Sequence, residues 1–248
     1  MSKCLIVTGG GRGIGAEVSR KAAKQGYSVC VNFHRDQTSA QKLVRELEEE
    51  GANALAYQAD VSQEEEVEAL FQTVEKDLGT PEALVNNAGI LDLQTRVDGM
   101  NAERIQRIFA VNVTGSFLCA REAVKRMSTK YGGKGGSIVN LSSGAAKYGS
   151  PGEYVDYAAS KAAIDTLTIG LAKEVAEEGI RVNAVRPGFI DTEIHQSGGE
   201  PDRMERVRPL VPMKRVGQAD EVADAIMWLL SDKASYTTGT ILDVSGGR

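Results

Sequence analysis

No apolar run in this 248-residue chain approaches the roughly eighteen residues needed to cross a bilayer, and Met1-Ser2-Lys3 passes straight into a short strand-like stretch without a signal-peptide hydrophobic region. A cytoplasmic protein without a membrane partner is the expectation. Positive charge is not in excess either. The 29 basic residues face 34 acidic ones, for a net charge of −5 spread along the chain, so no basic stripe is available to neutralise nucleic-acid phosphates. Cysteine is sparse: Cys4, Cys30 and Cys119 are odd in number, sit in apolar contexts and show no C-x-x-C spacing, which argues for reduced core residues. Neither of the two histidines has metal-ligand company, so no metal site is expected. The lack of G-x-S-x-G, and of any histidine near Ser143, weakens a serine hydrolase. Two sequons, at Asn112 and Asn140, have no use in a chain that never enters the secretory path.

What the chain does contain is alternation. Short apolar runs at 4–8, 28–33, 54–58, 83–86, 136–141, 180–185 and 240–244 read as strands buried on both faces. Between them, 13–26, 38–50, 63–78, 101–130, 154–178 and 218–231 carry apolar residues at helical spacing, with Gly26, Gly51, Gly79 and Gly179 as stops. Strict alternation predicts an α/β fold: a doubly wound, seven-stranded parallel sheet with helices on both faces. No linker or repeat divides it, so 1–248 reads as a single domain of Rossmann type. The stretch 187–217 holds four of the six prolines and no sustained period, and is the candidate lid over a substrate loop.

The first strand leads into Thr8-Gly9-Gly10-Gly11-Arg12-Gly13-Ile14-Gly15. Glycines at 9, 13 and 15 let backbone approach a pyrophosphate, and the following helix N-terminus offers N–H groups and positive dipole to it. A second register, Gly11, Gly13 and Ala16, also fits the G-x-G-x-x-A pattern. The second strand ends Asn32-Phe33-His34-Arg35 with no carboxylate for an adenosine ribose. Arg12 and Arg35 suit a 2′-phosphate instead, which favours NADP (NADPH), while nearby Asp36 keeps NAD open. Asp60-Val61, Asn86-Asn87-Ala88-Gly89 and Ser142-Ser143 close further strands, on the side where ligands of parallel sheets bind.

Tyr157 and Lys161 stand four residues apart on a helical stretch and so share a face. Such a pair is expected by chance about 0.4 times in a chain of this composition and means little alone. Placed beside a dinucleotide site it acquires a role: a lysine ammonium and a positive nicotinamide ring favour the phenolate, which needs roughly 3 to 4 kcal/mol to be useful near neutrality. Tyr157 would then exchange a proton with a carbonyl or alcohol oxygen, and Ser143 would hold that oxygen.

These residues, with Asn112, Pro187-Gly188 and the ending Asp243-Val244-Ser245-Gly246-Gly247, fall in one order over essentially the whole length. In that order the chain resembles the short-chain dehydrogenases/reductases, and most of all bacterial 3-oxoacyl-carrier-protein reductases, glucose 1-dehydrogenases and an uncharacterised oxidoreductase subgroup. The resemblance implies a catalytic tetrad of Asn112, Ser143, Tyr157 and Lys161, with Asn112 holding a relay water and Lys161 also bonding the nicotinamide ribose. It implies cofactor contacts from Gly9, Arg12, Gly13, Ile14, Gly15, Asn32, Arg35, Asp60, Val61, Asn87, Ala88, Gly89, Pro187 and Gly188, with Ile190 and Thr192 at the carboxamide. A homotetramer is implied as well. One departure from the pattern is an extra residue in 144–156, which leaves Ser142 as an alternative to Ser143.

The substrate is a small carbonyl or alcohol of unspecified identity. Glu153, Tyr154, His195, Arg203, Arg206 and Arg208 fall in loops that should border its pocket, either as solvated charges or as a receiver for an acidic substrate. Against an NADP-dependent oxidoreductase stands a catalytically idle dinucleotide sensor or structural subunit on the same fold.

Overall fold

The computed structural model describes residues 3–192 and 203–248. Seven parallel strands, β1 (Cys4–Val7), β2 (Ser28–Phe33), β3 (Ala54–Gln58), β4 (Pro81–Asn86), β5 (Gly136–Leu141), β6 (Ile180–Pro187) and β7 (Ile241–Val244), form one sheet in the order β3-β2-β1-β4-β5-β6-β7. Nine helices are described: α1 (Gly13–Lys24), α2 (Gln37–Glu49), α3 (Glu64–Asp77), α4 (Ala102–Phe109), α5 (Gly115–Met127), α6 (Ala145–Tyr148), α7 (Val155–Val175), α8 (Arg203–Val207) and α9 (Ala219–Leu230).

Successive side chains of a strand point to opposite faces, and here both faces are covered. Leu5, Val7, Val29 and Val31 pack with α1, α2 and α9, while Cys4, Ile6 and Cys30 pack with α3, α5 and α7. That double burial is why the strands read as continuous apolar runs rather than alternating ones. The strand order reverses between β1 and β4, which opens a crevice at their carboxyl ends.

Two expected elements differ. The stretch 101–130 is not one helix: α4 and α5 are joined by a wide π-helical turn over Ala110–Thr114 and followed by a short 3₁₀ turn at Thr129–Tyr131. The buried Asn112 sits inside that turn, and such bulges arise where a side chain must be re-aimed within a helix. The loop 144–156 contains α6, closed by Gly149 in the left-handed region at φ 72°. Among the described residues no helix is long and apolar enough to cross a membrane.

Candidate active site

The crevice is pinned shut at its base by Thr8 and Asn87. Thr8 Oγ1 accepts the N–H groups of Asn87 and Ala88, both at 3.0 Å, and Asn87 Nδ2 donates to the carbonyls of Thr8 and Gly9, both at 2.9 Å. Glycine is required here. Gly9 and Gly13 lie at φ 59° and 53°, and a Cβ on Gly15 would come within 2.6 Å of both Asn87 Nδ2 and the Gly9 carbonyl. Gly11 has neither a positive φ nor a contact under 3.3 Å, so the 9-13-15 register is the one the backbone uses. The Arg12 side chain does not cap α1 and no acid occupies its first turn, so the end that carries Gly13, Ile14 and Gly15 suits an anionic pyrophosphate. Across the crevice, a Cβ on Gly13 would meet Thr192 at 3.6 Å. The loop after β6 therefore faces the glycine turn directly.

Asn32 has a structural role. Its side chain is buried, accepts the Gly9 N–H at 3.3 Å and donates to the carbonyls of Tyr57 and Ala59. It joins the ends of β1, β2 and β3. Beyond it, Arg35 is exposed and Arg12 lies 3.9 Å from Asp36. Asp36 is held below its ordinary range chiefly by the Ser39 N–H it caps. Asp60 caps Ser62 at 2.9 Å and faces His34 at 3.6 Å, while Val61 is buried against Gly115.

Tyr157 stands half-buried in the first turn of α7, and Lys161 lies one turn further, buried. Lys161 Nζ donates to the Leu141 carbonyl at 2.7 Å and lies 5.7 Å from the centre of the Tyr157 ring. A Cβ on Gly89 would meet Lys161 Nζ at 3.3 Å and Asn112 Oδ1 at 3.5 Å, so the end of β4, the π-helical turn and α7 converge on one point. Asn112 accepts the Ile90 N–H at 2.8 Å and donates to the Ile90 carbonyl and Ser160 Oγ at 2.9 and 3.0 Å. Its side chain thus braces the β4 loop against α7. The two serines differ in direction: Ser142 Oγ turns away to the Lys161 carbonyl at 3.1 Å, whereas Ser143 Oγ accepts the Ala145 N–H at 3.1 Å and lies close enough to the Tyr157 phenol to lower its pKa.

Burial dominates the electrostatics. It raises the Tyr157 phenol above its ordinary value, opposed by the Ser143 hydrogen bond and the Arg203 charge. It pushes Lys161 down to about 8, opposed by Asp165 one turn along the helix. Among the protein's own groups burial therefore outweighs the lowering by Ser143 and Arg203, and the lowering expected of Tyr157 is not seen without the nicotinamide.

On the open side, the Thr95 N–H donates to the Glu153 carbonyl at 3.0 Å, and the Glu153 carboxylate takes Arg203 at 2.7 Å and Arg206 at 3.3 Å. Arg203 is buried over the rings of Tyr154 and Phe189, at 5.1 and 5.7 Å, so it is not a solvated loop charge. Arg208 is exposed, and His195 lies outside the described residues. Thr8, Ser160 and the buried pair Arg104–Asp156 (2.6 Å) escape a reading of the sequence. Thr8 carried a signal, a polar residue ending a buried strand; Arg104 and Asp156, fifty-two positions apart, carried none.

Comparison with known proteins places this arrangement. A family model described as enoyl-(acyl carrier protein) reductase matches residues 9–248. The uncharacterized oxidoreductase YgfF of Escherichia coli K12 is 57% identical over 243 residues, covering 98% of each chain. The 3beta-hydroxysteroid dehydrogenase 1 of Eggerthella lenta is 41% identical, over 99% of this chain and 93% of its own. Glucose 1-dehydrogenase 2 of Bacillus subtilis is 37% identical, over 99% and 94%. With a family match over residues 9–248 and three relatives 37 to 57% identical along nearly their whole length, the chain belongs to the short-chain dehydrogenase/reductase family of oxidoreductases.

Proposed function

We propose that the protein interconverts a small carbonyl compound and its secondary alcohol, with NADP preferred over NAD. The observation that carries this reading is the meeting of Ser143, Tyr157 and Lys161 beside a glycine turn built for a pyrophosphate. When bound, the nicotinamide dinucleotide supplies or takes up the hydride. Gly9, Gly13, Ile14 and Gly15 would hold its pyrophosphate, Arg12 and Arg35 a 2′-phosphate, Asp60, Val61, Asn87, Ala88 and Gly89 its middle, and Pro187, Gly188, Ile190 and Thr192 its nicotinamide end. Tyr157 moves the proton at the substrate oxygen and Ser143 holds that oxygen by hydrogen bonding. Lys161 remains an ammonium below pH about 8 and supplies the cation beside the phenol and a ribose contact. Asn112, at the same convergence, is the relay position toward solvent.

Replacing Tyr157 by Phe tests the reading. Turnover should fall by at least about a hundredfold, the worth of a general acid, while NADPH titration by fluorescence stays unchanged. A variant that keeps its turnover would favour an idle dinucleotide sensor. The panel of substrates begins with the relatives' named chemistry, 3-oxoacyl thioesters, glucose and 3β-hydroxysteroids, and adds diketones. For cofactor choice, Arg35→Asp should shift the NADPH to NADH ratio of kcat/KM at least tenfold toward NADH, about the worth of one charged hydrogen bond. An unchanged ratio would remove Arg35 from the assignment.

The lid expected over 187–217 falls partly outside the described residues, at 193–202. The exposed Ile105, Phe117 and Ile169, on α4, α5 and α7, support burial of those helices in a homotetramer.

A further inference from the structure

We propose that Arg203 is a positioning residue for Tyr157, holding the first turn of α7 against the loops that follow β4 and β6. Its functional consequence rests on the reading of Tyr157 as the group that moves the proton. The start of α7 does not hold itself. Tyr154, its N-cap, gives the first turn no side-chain hydrogen bond, although the free amides there call for one. The chain arrives through Ser150 at φ 43°, a left-handed conformation that a residue with a Cβ keeps only where its surroundings impose it. The Ser150 carbonyl accepts the Glu153 and Tyr154 N–H groups at 3.2 and 3.1 Å, and the Tyr154 carbonyl accepts that of Ala158, just past Tyr157, at 2.9 Å.

Groups from outside the helix supply the hold. From the loop after β4, the Thr95 N–H donates to the Glu153 carbonyl at 3.0 Å. From α8, Arg203 bonds the Glu153 carboxylate at 2.7 Å, with its guanidinium 5.1 Å from the centre of the Tyr154 ring and 5.7 Å from that of Phe189, beyond β6. The Arg203 side chain is 9% exposed and Tyr154 4%, so these contacts are shielded from water and count for more than a surface pair. Arg206 reaches the same carboxylate at 3.3 Å, but from an exposed position. Arg203 alone therefore joins Phe189 and α8 to the two residues that begin α7. Its charge acts on the same tyrosine: burial raises the Tyr157 phenol, and Ser143 and Arg203 oppose that rise. Of the other cations nearby, Lys161 lies 5.7 Å from the Tyr157 ring centre and Arg248 lies over Phe189 at 4.7 Å.

Hydrogen exchange of the full-length protein, read by mass spectrometry over 154–160 and over 166–175, tests the hold. Tyrosinate absorbance, taken as the difference between each protein and its Tyr157→Phe counterpart, tests the charge. Arg203→Met should speed exchange in 154–160 at least roughly tenfold, leave 166–175 unchanged and move the phenol titration upward in pH. Arg203→Lys, which keeps the charge and loses the planar fork, should speed exchange in 154–160 while holding the wild-type titration. Arg206→Met should change neither reading. Equal exchange in Arg203→Met and wild type, faster exchange along all of α7, or an unmoved phenol titration would each overturn the proposal. Should Arg203→Met fail to fold, Glu153→Gln carries the same test, with faster exchange in 154–160 expected and unchanged exchange overturning it. On any carbonyl that the wild type reduces, Arg203→Met should lower kcat at least about tenfold with KM little changed, the worth of one charged hydrogen bond. Retained turnover in Tyr157→Phe would sink the reading of the site and leave the exchange result standing.

Discussion

Lys161 carries a pH signature that belongs to a single residue. Its folded pKa of about 8 lies below the ordinary 10.5 because burial disfavours the ammonium. Below pH 8 both folded and unfolded chains hold the proton, and the folded state bears the full desolvation penalty. Between pH 8 and 10.5 the unfolded chain keeps a proton that the folded one has lost, so stability rises with pH, by up to about 3 kcal/mol from this residue. Urea unfolding of wild type and Lys161→Met at pH 7.5 and 10 should show that difference as an upward trend in wild type alone; parallel behaviour would count against a buried lysine. At the same scale, residue type was legible and direction was not. Tyr157, Lys161 and the glycines could be named from spacing, but which of Ser142 and Ser143 faces the phenol, and that Asn32 turns inward, depend on side-chain directions that adjoining strands impose.

At the scale of elements, the join between α4 and α7 positions Tyr157. Arg104 bonds Asp156 at 2.6 Å with side-chain exposures of 11% and 2%, and reaches the Leu93 carbonyl at 2.6 Å. Asp156 in turn accepts the Tyr157 N–H at 2.9 Å. Removing one partner strands a buried charge, so Arg104→Met should cost about 3 to 5 kcal/mol in urea unfolding, and Arg104→Met with Asp156→Leu should recover much of it. Recovery failing, with a loss no larger than that of a surface pair, would show the pair to be solvated. Helix and strand order were readable because burial on both faces of the sheet writes itself as apolar runs between amphipathic stretches. The break of 101–130 was not, because Asn112 is demanded by Ile90 and Ser160, residues remote from it in sequence.

At the scale of the whole molecule, the two layers of helix exclude water from the sheet, and the thiols report it. Cys4 and Cys119 are pushed up to about 12 by burial and Cys30 is raised further, with none exposed. Ellman's reagent at pH 8 should therefore leave native protein unlabelled and titrate all three thiols in urea; rapid labelling of the native form would contradict the packing. Sequence by itself determined the class of fold, the glycine turn and the identity of the tyrosine and lysine, because periodicity and backbone freedom are local properties of the chain. Tertiary structure alone decided the strand order that opens the crevice, the Thr8–Asn87 pin and the turning of Ser142 toward the Lys161 carbonyl. Those depend on groups far apart in sequence competing for the same hydrogen bonds and the same buried space.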